Sequence, residues 1–336
     1  MLRGRMNLTI ATFNLENLFT RYATIDDPAV PNNPRVAMTG VTSINYQNTP
    51  LSVATTVNQR NNTARAVLDC MPDILAVEEV ENLWTLRLFN DQFLSGYFSQ
   101  LFLIEGNDGR GIDVGLCIRK GLAATLVGLR THVEELDPNR KNKSATAVQR
   151  FYNEATGELT VNHALFSRDC LEVDIDIGTN PVTKLTFLVN HFKSQSDASS
   201  ADDKLRAAQA AKVAEYVRVA QARGRSPVVL GDLNEDFAKK PSNLQALQDL
   251  IANNSLVDPF GNETDANRWT HYYAAGNEVS RLDYVLLDPS LSVVSRSVMR
   301  KGISLKCAVA GERYPTVGYV DSEASDHCPV AVTLNL

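Results

Sequence analysis

At 336 residues, with 44% hydrophobic and 21% charged residues, the chain has the composition of a folded globular protein with a sizeable core rather than of a disordered one. Its formal net charge of -6 argues against a protein that holds nucleic acid mainly through a broad basic face, because such binding needs Lys and Arg to neutralise phosphates. Its five cysteines are odd in number and widely spaced, which indicates neither a disulfide framework nor a CxxC metal site.

The N-terminal sequence has no apolar stretch of signal-peptide type before the first predicted strand. No run of about 18 or more apolar residues occurs in the chain, so we expect no transmembrane segment. These features favour a cytoplasmic protein, or a secreted one if a signal peptide has been removed from this sequence. The oligomeric state stays open.

Short apolar runs that end in charged or amide residues recur along the chain and predict β-strands. In chain order they are LTIATFNL, DILAVEEVEN, IDVGLCIRK, LEVDIDIG, KLTFLVNHFKS, PVVLGDLNEDF, RLDYVLLD and PVAVTLNL. Segments with helical spacing of apolar residues lie between them: TARAVLDC, LWTLRLFNDQFL, LRAAQAAKVAEYVRVAQARG and NLQALQDLIANN. Gly224 is the predicted C-cap of the third helix. This alternation favours either two packed sheets with helices outside or a doubly wound parallel sheet.

Two polar stretches, roughly 21–62 and 132–158, lack sustained periodicity and are longer than most loops. We interpret them as surface insertions near a binding face. Because no repeat, low-complexity tract or linker marks a boundary, we expect one domain that spans residues 1–336. The chain lacks the GxGxxG motif and the P-loop motifs GxxxxGKS and GxxxxGKT, which argues against dinucleotide-binding and P-loop functions.

Three predicted strands end in pairs of polar side chains: Asn14 and Glu16, Glu78 and Glu79, and Asp232 and Asn234. Residues two positions apart lie on one side of an extended strand. Each pair alone is explained by a turn or a helix N-terminus, but carboxylates directly after an apolar run are costly to bury unless they are paired or bind a cation. An oxygen-rich set suits a hard divalent ion such as Mg²⁺ and favours phosphate chemistry. SDHCPV at 325–330 is then either a polar surface turn or part of the same site.

Seven segments, in this order, resemble the endonuclease/exonuclease/phosphatase superfamily, which has the deoxyribonuclease-I-like fold: TIATFNLENLF, DILAVEEVEN, RGIDVGLCIRK, FLVNHFKSQ, VVLGDLNEDF, SRLDYVLLD and SDHCPV. The resemblance extends from Leu8 to the C-terminus, and the joint occurrence of GDxN, RLDY and SDHxPV makes it specific. Glu78 departs from the pattern, since the family more often has Gln before the metal-binding Glu. The resemblance implies an α+β fold, namely a four-layer α/β/β/α sandwich with the site at one rim of the paired sheets.

The resemblance also implies three groups of site residues. The metal ligands would be Glu16, Glu79 and Asp326, with Mg²⁺ as the expected ion and Mn²⁺ or Ca²⁺ as alternatives. The catalytic residues would be His191, Asp232, Asn234, Asp283 and His327. The substrate-binding residues would be Asn14, Arg110 and Lys193.

In the roles that the resemblance implies, His191 and His327 contact the scissile phosphate, and Asp283 fixes the tautomer of His327. Asp232 orients or deprotonates the attacking water, and Asn234 binds phosphate or positions the nucleophile. Asp326-His327 is therefore predicted to belong to the active site rather than to a surface turn.

The leading functional hypothesis is a metal-dependent phosphodiester hydrolase that acts as a nuclease on DNA, because NLENLF and VNHFKSQ resemble bacterial nucleases of the family. The lack of an obvious basic stripe counts against it. The alternative is hydrolysis of small or lipid phosphodiesters, as in sphingomyelinases, and fold alone does not decide between them. A catalytically silent binding protein on this fold is a third hypothesis, but such a descendant would be expected to lose Glu79, Asp232 or His327, and all three are present.

Overall fold

β-Strands make up most of the secondary-structure elements in the computed structural model, which describes residues 6–19, 23–25, 35–37, 44–46, 49–51, 57–153, 158–179, 181–195, 200–238 and 242–336. Within these residues the strands in chain order are β1 (Asn7–Leu18), β2 (Ala23–Ile25), β3 (Arg35–Ala37), β4 (Ile44–Tyr46), β5 (Thr49–Leu51), β6 (Ile74–Val80), β7 (Phe98–Leu103), β8 (Asp113–Arg119), β9 (Ala124–Arg130), β10 (Gln149–Asn153), β11 (Glu158–Asn162), β12 (Cys170–Ile177), β13 (Thr183–His191), β14 (Ser226–Asp232), β15 (His271–Tyr273), β16 (Glu278–Ser280), β17 (Asp283–Leu287), β18 (Ser292–Val298) and β19 (Val330–Asn335). The helices are α1 (Val57–Cys70), α2 (Leu83–Phe93), α3 (Ser200–Ala222), α4 (Gln245–Ala252) and α5 (Asp265–Arg268).

Two mixed sheets form the centre of the fold. The first has the strand order β18-β19-β1-β6-β8-β7, and the second has the order β17-β14-β13-β12-β9. Each sheet contains one parallel pair, β1 with β6 and β13 with β14, whereas the other neighbours are antiparallel. The carboxyl ends of each parallel pair therefore lie at one edge of their sheet.

The two sheets pack face to face through one apolar core. Fully buried side chains from both sheets meet there, among them Ile10, Ile74 and Leu116 from the first and Val173, Phe187 and Leu230 from the second. Because one face of each sheet lies in this core and the other under helices, the central strands are buried along nearly their whole length.

Helices cover the outer face of each sheet. Val67 of α1 and Phe89 of α2 pack with Phe13 of the first sheet. Val213 of α3 packs with Val229 of the second sheet, and α4 joins the same cluster. The order helix, sheet, sheet, helix confirms the predicted four-layer α/β/β/α sandwich.

The predicted strands all form, as β1, β6, β8, β12, β13, β14, β17 and β19, and the predicted helices form as α1 to α4. Gly224 follows α3 at φ +69, and its N–H donates to the carbonyl of Gln221, as predicted for a C-cap. Sequence patterns missed the edge strands β9 and β18, which are largely exposed and carry no alternation of buried and exposed residues.

The stretch predicted as an insertion at 21–62 falls largely outside the described residues. Within it the described backbone forms the two short strand pairs β2–β3 and β4–β5, and its last residues belong to α1. The 132–158 stretch contains β10, which pairs with β11 in a hairpin that exposes Phe151 and Tyr152. Arg150 Nε at the base of this hairpin donates to Asn107 Oδ1 at 2.8 Å, in the loop that leads into β8.

Within the described residues, no helix is long and apolar enough to cross a bilayer. The five cysteines are all free, and only Cys70 is not fully buried. The four buried cysteines therefore act as small core side chains rather than as cross-links.

Gly231 in β14 occupies a position that no side chain fits. Its φ is +124, and a Cβ atom there would lie 1.9 Å from the carbonyl oxygen of Asn190 on the neighbouring strand. Gly231→Ala is therefore expected to destabilise the fold by roughly 3 kcal/mol and to displace the adjacent Asp232. Urea unfolding measures this loss, and Gly121→Ala is the matched control, since Gly121 has φ +82 but open space around it. Equal destabilisation by both variants would show that backbone strain, and not the clash, limits position 231.

Candidate active site

The ends of strands from both sheets meet at one rim, where the predicted site residues lie. In the second sheet the register places His191, Asp232 and Asp283 side by side on β13, β14 and β17. In the first sheet Asn14 of β1 pairs with Glu78 of β6. Asn14 Nδ2 donates to Asp232 Oδ2 at 3.2 Å, so the strand ends of the two sheets are in direct contact.

His327 is held by a buried carboxylate. Its Nδ1 lies 2.8 Å from Asp283 Oδ2, and its Nε2 lies 3.8 Å from Asp232 Oδ2. Although burial disfavours a charged ring, Asp283 and Asp232 hold the pKa of His327 well above its usual range. The backbone is fixed as well, because the His327 N–H donates to Ser325 Oγ, which donates to the Asn14 carbonyl. The ring is thus an oriented cation whose Nε2–H faces Asp232.

His191 approaches the same carboxylate. Its Nε2 lies 3.5 Å from Asp232 Oδ2 and 3.8 Å from Glu79 Oε1. Burial, with the nearby charges of Arg168 and Arg110, lowers the pKa of His191 well below its ordinary value, so the ring is neutral. Carboxylates on the Nε2 side favour the tautomer with the proton on Nε2. His191 and His327 therefore present N–H donors to one oxygen.

Asp232 lies at the centre of this arrangement. Its Oδ1 accepts the N–H of Asn234 at 2.8 Å, and its Oδ2 accepts the side-chain amides of Asn234 at 3.1 Å and Asn14 at 3.2 Å. Burial raises the pKa of Asp232 to about 7, against the lowering influence of His327. A carboxyl group that titrates near neutral pH is suited to take a proton from water.

Two residues at the rim depart from the extended backbone conformation. Glu16 has φ 48 and Asn234 has φ 55, both in the left-handed region. The premise that each pair, Asn14 with Glu16 and Asp232 with Asn234, lies on an extended strand is therefore wrong. Asn234 instead turns back on Asp232 through two hydrogen bonds, as Asn does in tight turns.

Glu16 and Glu79 lie in an irregular part of the first sheet, where the register of β1 against β6 shifts. Glu79 also has a left-handed conformation, with φ 61. Glu79 Oε2 accepts the N–H of Asn17 at 3.0 Å, and Glu16 Oε2 accepts Gln59 Nε2 at 3.4 Å. Such conformations cost about 1–3 kcal/mol each and cluster at functional sites, where they re-aim side chains.

The carboxylates on this side of the site repel one another. Burial raises the pKa of Glu16 well above its usual range, and the charges of Asp326, Glu323 and Glu79 add to this rise. A divalent cation would relieve that repulsion, and an all-oxygen donor set suits a hard ion. Glu16, Glu79 and Asp326 therefore fit the predicted metal site.

The tightest groups of ligating side chains, however, are different ones. In the part of the chain that the structure describes, His271, Asp326 and His327 form one group whose ligand atoms lie within 4.8 Å of one another, and Asp232, Asp283 and His327 form another. Glu16 and Glu79 belong to neither group, so binding of one ion by all three predicted carboxylates would draw them closer together.

Glu78 is fully buried behind the site. Thr12 Oγ1 donates to its Oε1 at 2.8 Å, and its Oε2 has no hydrogen-bond partner among the described residues. Burial and the charge of Asp283 raise the pKa of Glu78 well above its usual range. The side chain is therefore a neutral carboxylic acid, which is nearly isosteric with the Gln that the family resemblance leads one to expect at this position.

Glu78→Gln is expected to raise the melting temperature at pH 8 by a few degrees and to leave it unchanged at pH 4. The raised pKa makes the folded state hold a proton that the unfolded chain releases above the ordinary value of 4.5, so Glu78 weakens folding as pH rises. Gln removes this dependence. Thermal unfolding at both pH values in the presence of a chelator measures the shift in melting temperature. Glu278→Gln, at an exposed glutamate, is the control. A shift of equal size at both pH values would contradict a buried neutral acid.

Two predicted substrate-binding residues have charged partners. Arg110 Nε lies 3.2 Å from Asp108 Oδ1, in the loop before β8, and its charge acts on His191. Lys193 Nζ lies 3.7 Å from Asp202 Oδ1 in the first turn of α3. The structure therefore places Arg110 near the site and directs Lys193 toward α3.

Sequence patterns did not identify Arg168 or Gln59 as parts of the rim, whereas His271 in RWTHYY was a candidate to line the substrate groove. Arg168 is buried beside His191, with its Nε 3.1 Å from Asp108 Oδ2. His271 packs against His327 with ring centroids 4.7 Å apart. Although burial disfavours the charge of Asp326, His271 and His327 hold its pKa below the usual value. The sequence around Arg168 does not indicate a buried position at the site, because an Arg just before a strand is ordinarily exposed.

Comparison with known proteins gives a family match and a shared fold. A sequence model described as "Endonuclease/Exonuclease/phosphatase family" matches residues 11–327. No curated protein matches the chain significantly.

Solved structures with the same fold cover nearly the whole chain at low sequence identity. An endonuclease/exonuclease/phosphatase family protein from Bacteroides thetaiotaomicron is 17% identical, with 99% of each chain covered and a TM-score of 0.56. TDP2 from Caenorhabditis elegans, in truncated form, is 14% identical, with 98% of each chain covered and a TM-score of 0.56. D. rerio TDP2, solved with a single-strand DNA product, is 14% identical over 98% of this chain and 99% of that one, with a TM-score of 0.57.

Proposed function

Because the chain belongs to the endonuclease/exonuclease/phosphatase family, whose members are phosphodiester hydrolases, we propose that it is a Mg²⁺-dependent phosphodiesterase and specifically a nuclease that acts on DNA. The observation that carries the proposal is the convergence of His191 Nε2 and His327 Nε2 on Asp232 Oδ2, at 3.5 Å and 3.8 Å, next to Glu79. Two N–H donors beside a carboxylate that titrates near pH 7 are the groups that water attack on a phosphodiester needs.

Asp232 is the proposed base. Asn14 and Asn234 hold its oxygens, and its pKa of about 7 allows it to take a proton from the attacking water. The water oxygen forms a bond to phosphorus while the bond from phosphorus to the leaving oxygen breaks. Asn14 and Asn234 also lie close enough to Asp232 to position that water.

His191 and His327 are the proposed donors to the phosphoryl oxygens. His327 contributes a positive charge that Asp283 supports, and His191 contributes a neutral N–H, so together they stabilise the charge that develops in the transition state. We propose that Glu16, Glu79 and Asp326 hold Mg²⁺, or Mn²⁺ in its place. When bound, the ion neutralises charge on the phosphate. Arg110 and Lys193 are proposed contacts to flanking phosphates.

DNA is the proposed substrate because of two further observations. D. rerio TDP2, which has the same fold, was solved with a single-strand DNA product. In this chain the β10–β11 hairpin is tied to the rim through Arg150 and Asn107 and exposes Phe151 and Tyr152, and exposed aromatic rings of this kind stack on nucleic-acid bases. We also propose that the whole chain forms one domain, since the family match spans 11–327 and both sheets share one core.

The test is a panel assay in Mg²⁺ and in Mn²⁺ with plasmid DNA, RNA, bis-p-nitrophenyl phosphate and sphingomyelin. We expect plasmid DNA to be cut with either ion and sphingomyelin to be left intact. Asp232→Asn should abolish the cutting, whereas Asp265→Asn, at a carboxylate with 90% exposure, should not. Faster turnover of sphingomyelin than of DNA would favour the lipid phosphodiesterase alternative, and no turnover of any substrate would favour a binding protein.

A further inference from the structure

A group of two imidazoles and one carboxylate lies at the edge of the site. His271 Nε2 is 3.8 Å from Asp326 Oδ2, and His327 Nε2 is 3.9 Å from Asp326 Oδ1. The carboxylate of Asp326 thus lies between the two rings and turns one oxygen to each. All three ligand atoms fall within 4.8 Å of one another.

Both rings are anchored through the nitrogen that faces away from the carboxylate. His327 Nδ1 lies 2.8 Å from Asp283 Oδ2, and His271 Nδ1 lies 3.2 Å from Ser280 Oγ. Metal-binding histidines ordinarily have a hydrogen-bond partner of this kind, which fixes the tautomer and leaves the other nitrogen for the ion. Each of the two rings therefore turns Nε2 toward the carboxylate, and an ion that binds there displaces the proton from Nε2 of His327.

The backbone fixes the spacing of the rings. His271 and His327 face each other in an antiparallel bridge, and the N–H of Tyr272 donates to the Asp326 carbonyl at 2.9 Å. Ligands at about 2.0–2.2 Å around a tetrahedral ion lie roughly 3.4 Å apart. The N–O distances of 3.8 Å and 3.9 Å exceed this by only a few tenths of an ångström, which side-chain rotation can supply.

We propose that His271, Asp326 and His327 form a site for a borderline divalent transition ion, for which Zn²⁺ is the best fit. Two imidazole nitrogens and one carboxylate oxygen, with a remaining position for water, are the ligands of open zinc sites. Mg²⁺ prefers oxygen ligands, so this site discriminates against it. Asp326 is 37% exposed and His271 is 17% exposed, which gives an ion access from solvent.

Occupancy of this site inhibits hydrolysis, an inference that rests on the proposed function. His327 Nε2 cannot bind the ion and donate a hydrogen bond to a phosphoryl oxygen at the same time. The ion also removes Asp326 from the proposed Mg²⁺ ligands. Zn²⁺ is therefore expected to act as an inhibitor at concentrations far below those at which Mg²⁺ activates.

Direct binding tests the site without any substrate. Titration calorimetry of the chelator-treated full chain with Zn²⁺ is expected to show one site per chain that is at least tenfold weaker in His271→Asn. His163→Asn is the matched control, because His163 lies outside this group, and it should bind as the wild type does. Ser280→Ala, which removes only the anchor of His271, should weaken binding by a smaller factor. Co²⁺ should give the intense visible absorption of tetrahedral coordination in the wild type and lose it in His271→Asn.

Inhibition is measured separately, as the Zn²⁺ concentration that halves the Mg²⁺-supported rate on bis-p-nitrophenyl phosphate. For His271→Asn, this concentration is measured against the variant's own rate without Zn²⁺. It should be at least tenfold higher than the concentration found for the wild type. Zn²⁺ binding that is equal in His271→Asn, His163→Asn and the wild type, or that is absent from all three, would overturn the site. Zn²⁺ binding that depends on His271 in a chain without hydrolase activity would instead uphold the site and refute the proposed function.

Discussion

Replacing Glu79 with Gln is expected to lower kcat/KM for phosphodiester hydrolysis on the order of 10³-fold. An amide offers the ion a neutral oxygen where a carboxylate is needed, and loss of metal assistance costs several kcal/mol. Glu79 also accepts the N–H of Asn17 and lies 3.8 Å from His191 Nε2, and Gln preserves the size of the side chain at this crowded position. Steady-state kinetics over a range of Mg²⁺ concentrations measures the loss, which should shrink as Mg²⁺ rises.

Glu105→Gln is the matched control for this variant, because Glu105 is an exposed acid in the loop before β8, and its rate should equal that of the wild type. Excess chelator should silence the wild-type protein as well. Undiminished turnover in excess chelator would refute a metal-dependent reaction and, with it, the proposed role of Glu79.

Replacing His327 with Ala is expected to lower kcat about 10²- to 10³-fold, or about 3 to 4 kcal/mol in activation free energy, with a much smaller change in KM. The ring donates to charge that develops only in the transition state, so its loss slows the chemical step more than it weakens substrate binding. His191→Ala should behave in the same way, since its Nε2 faces the same oxygen of Asp232. His163→Ala controls for loss of an imidazole elsewhere.

Asp283→Asn provides the partner test. Asp283 lies 2.8 Å from His327 Nδ1 and supports the charged ring, so Asn should slow the reaction through His327. In a double-mutant cycle with His327→Ala, the second substitution should then add little to the first. Losses that simply add would show that the two residues do not act as a pair.

The layers of the fold were predictable because their sequence signals are local. LTIATFNL and PVVLGDLNEDF are apolar runs that become strands buried on both faces, and the spacing in α3 gives one buried face. Local sequence patterns do not distinguish a paired-sheet sandwich from a doubly wound sheet, because the two differ in which strands pair. The family resemblance resolved it, and the strand order agrees.

Prediction of the site failed where geometry depends on tertiary contacts. The spacing of Asp232 and Asn234 indicated a shared site, but it indicated this for a wrong reason, since Asn234 turns back on Asp232 with φ 55. No pattern along the chain indicates that Arg168 lies at the rim. Its position there follows from long-range packing against Asp108.

The left-handed backbone at Glu16, Glu79 and Asn234 sets a conflict between stability and activity. Glycine or asparagine adopts this conformation at lower cost than glutamate does. A library screened for heat resistance alone would therefore be expected to enrich Gly or Asn at positions 16 and 79, and the survivors would be robust but inactive. Thermostabilisation of this chain would have to leave those two positions unchanged and use stabilising substitutions at other positions.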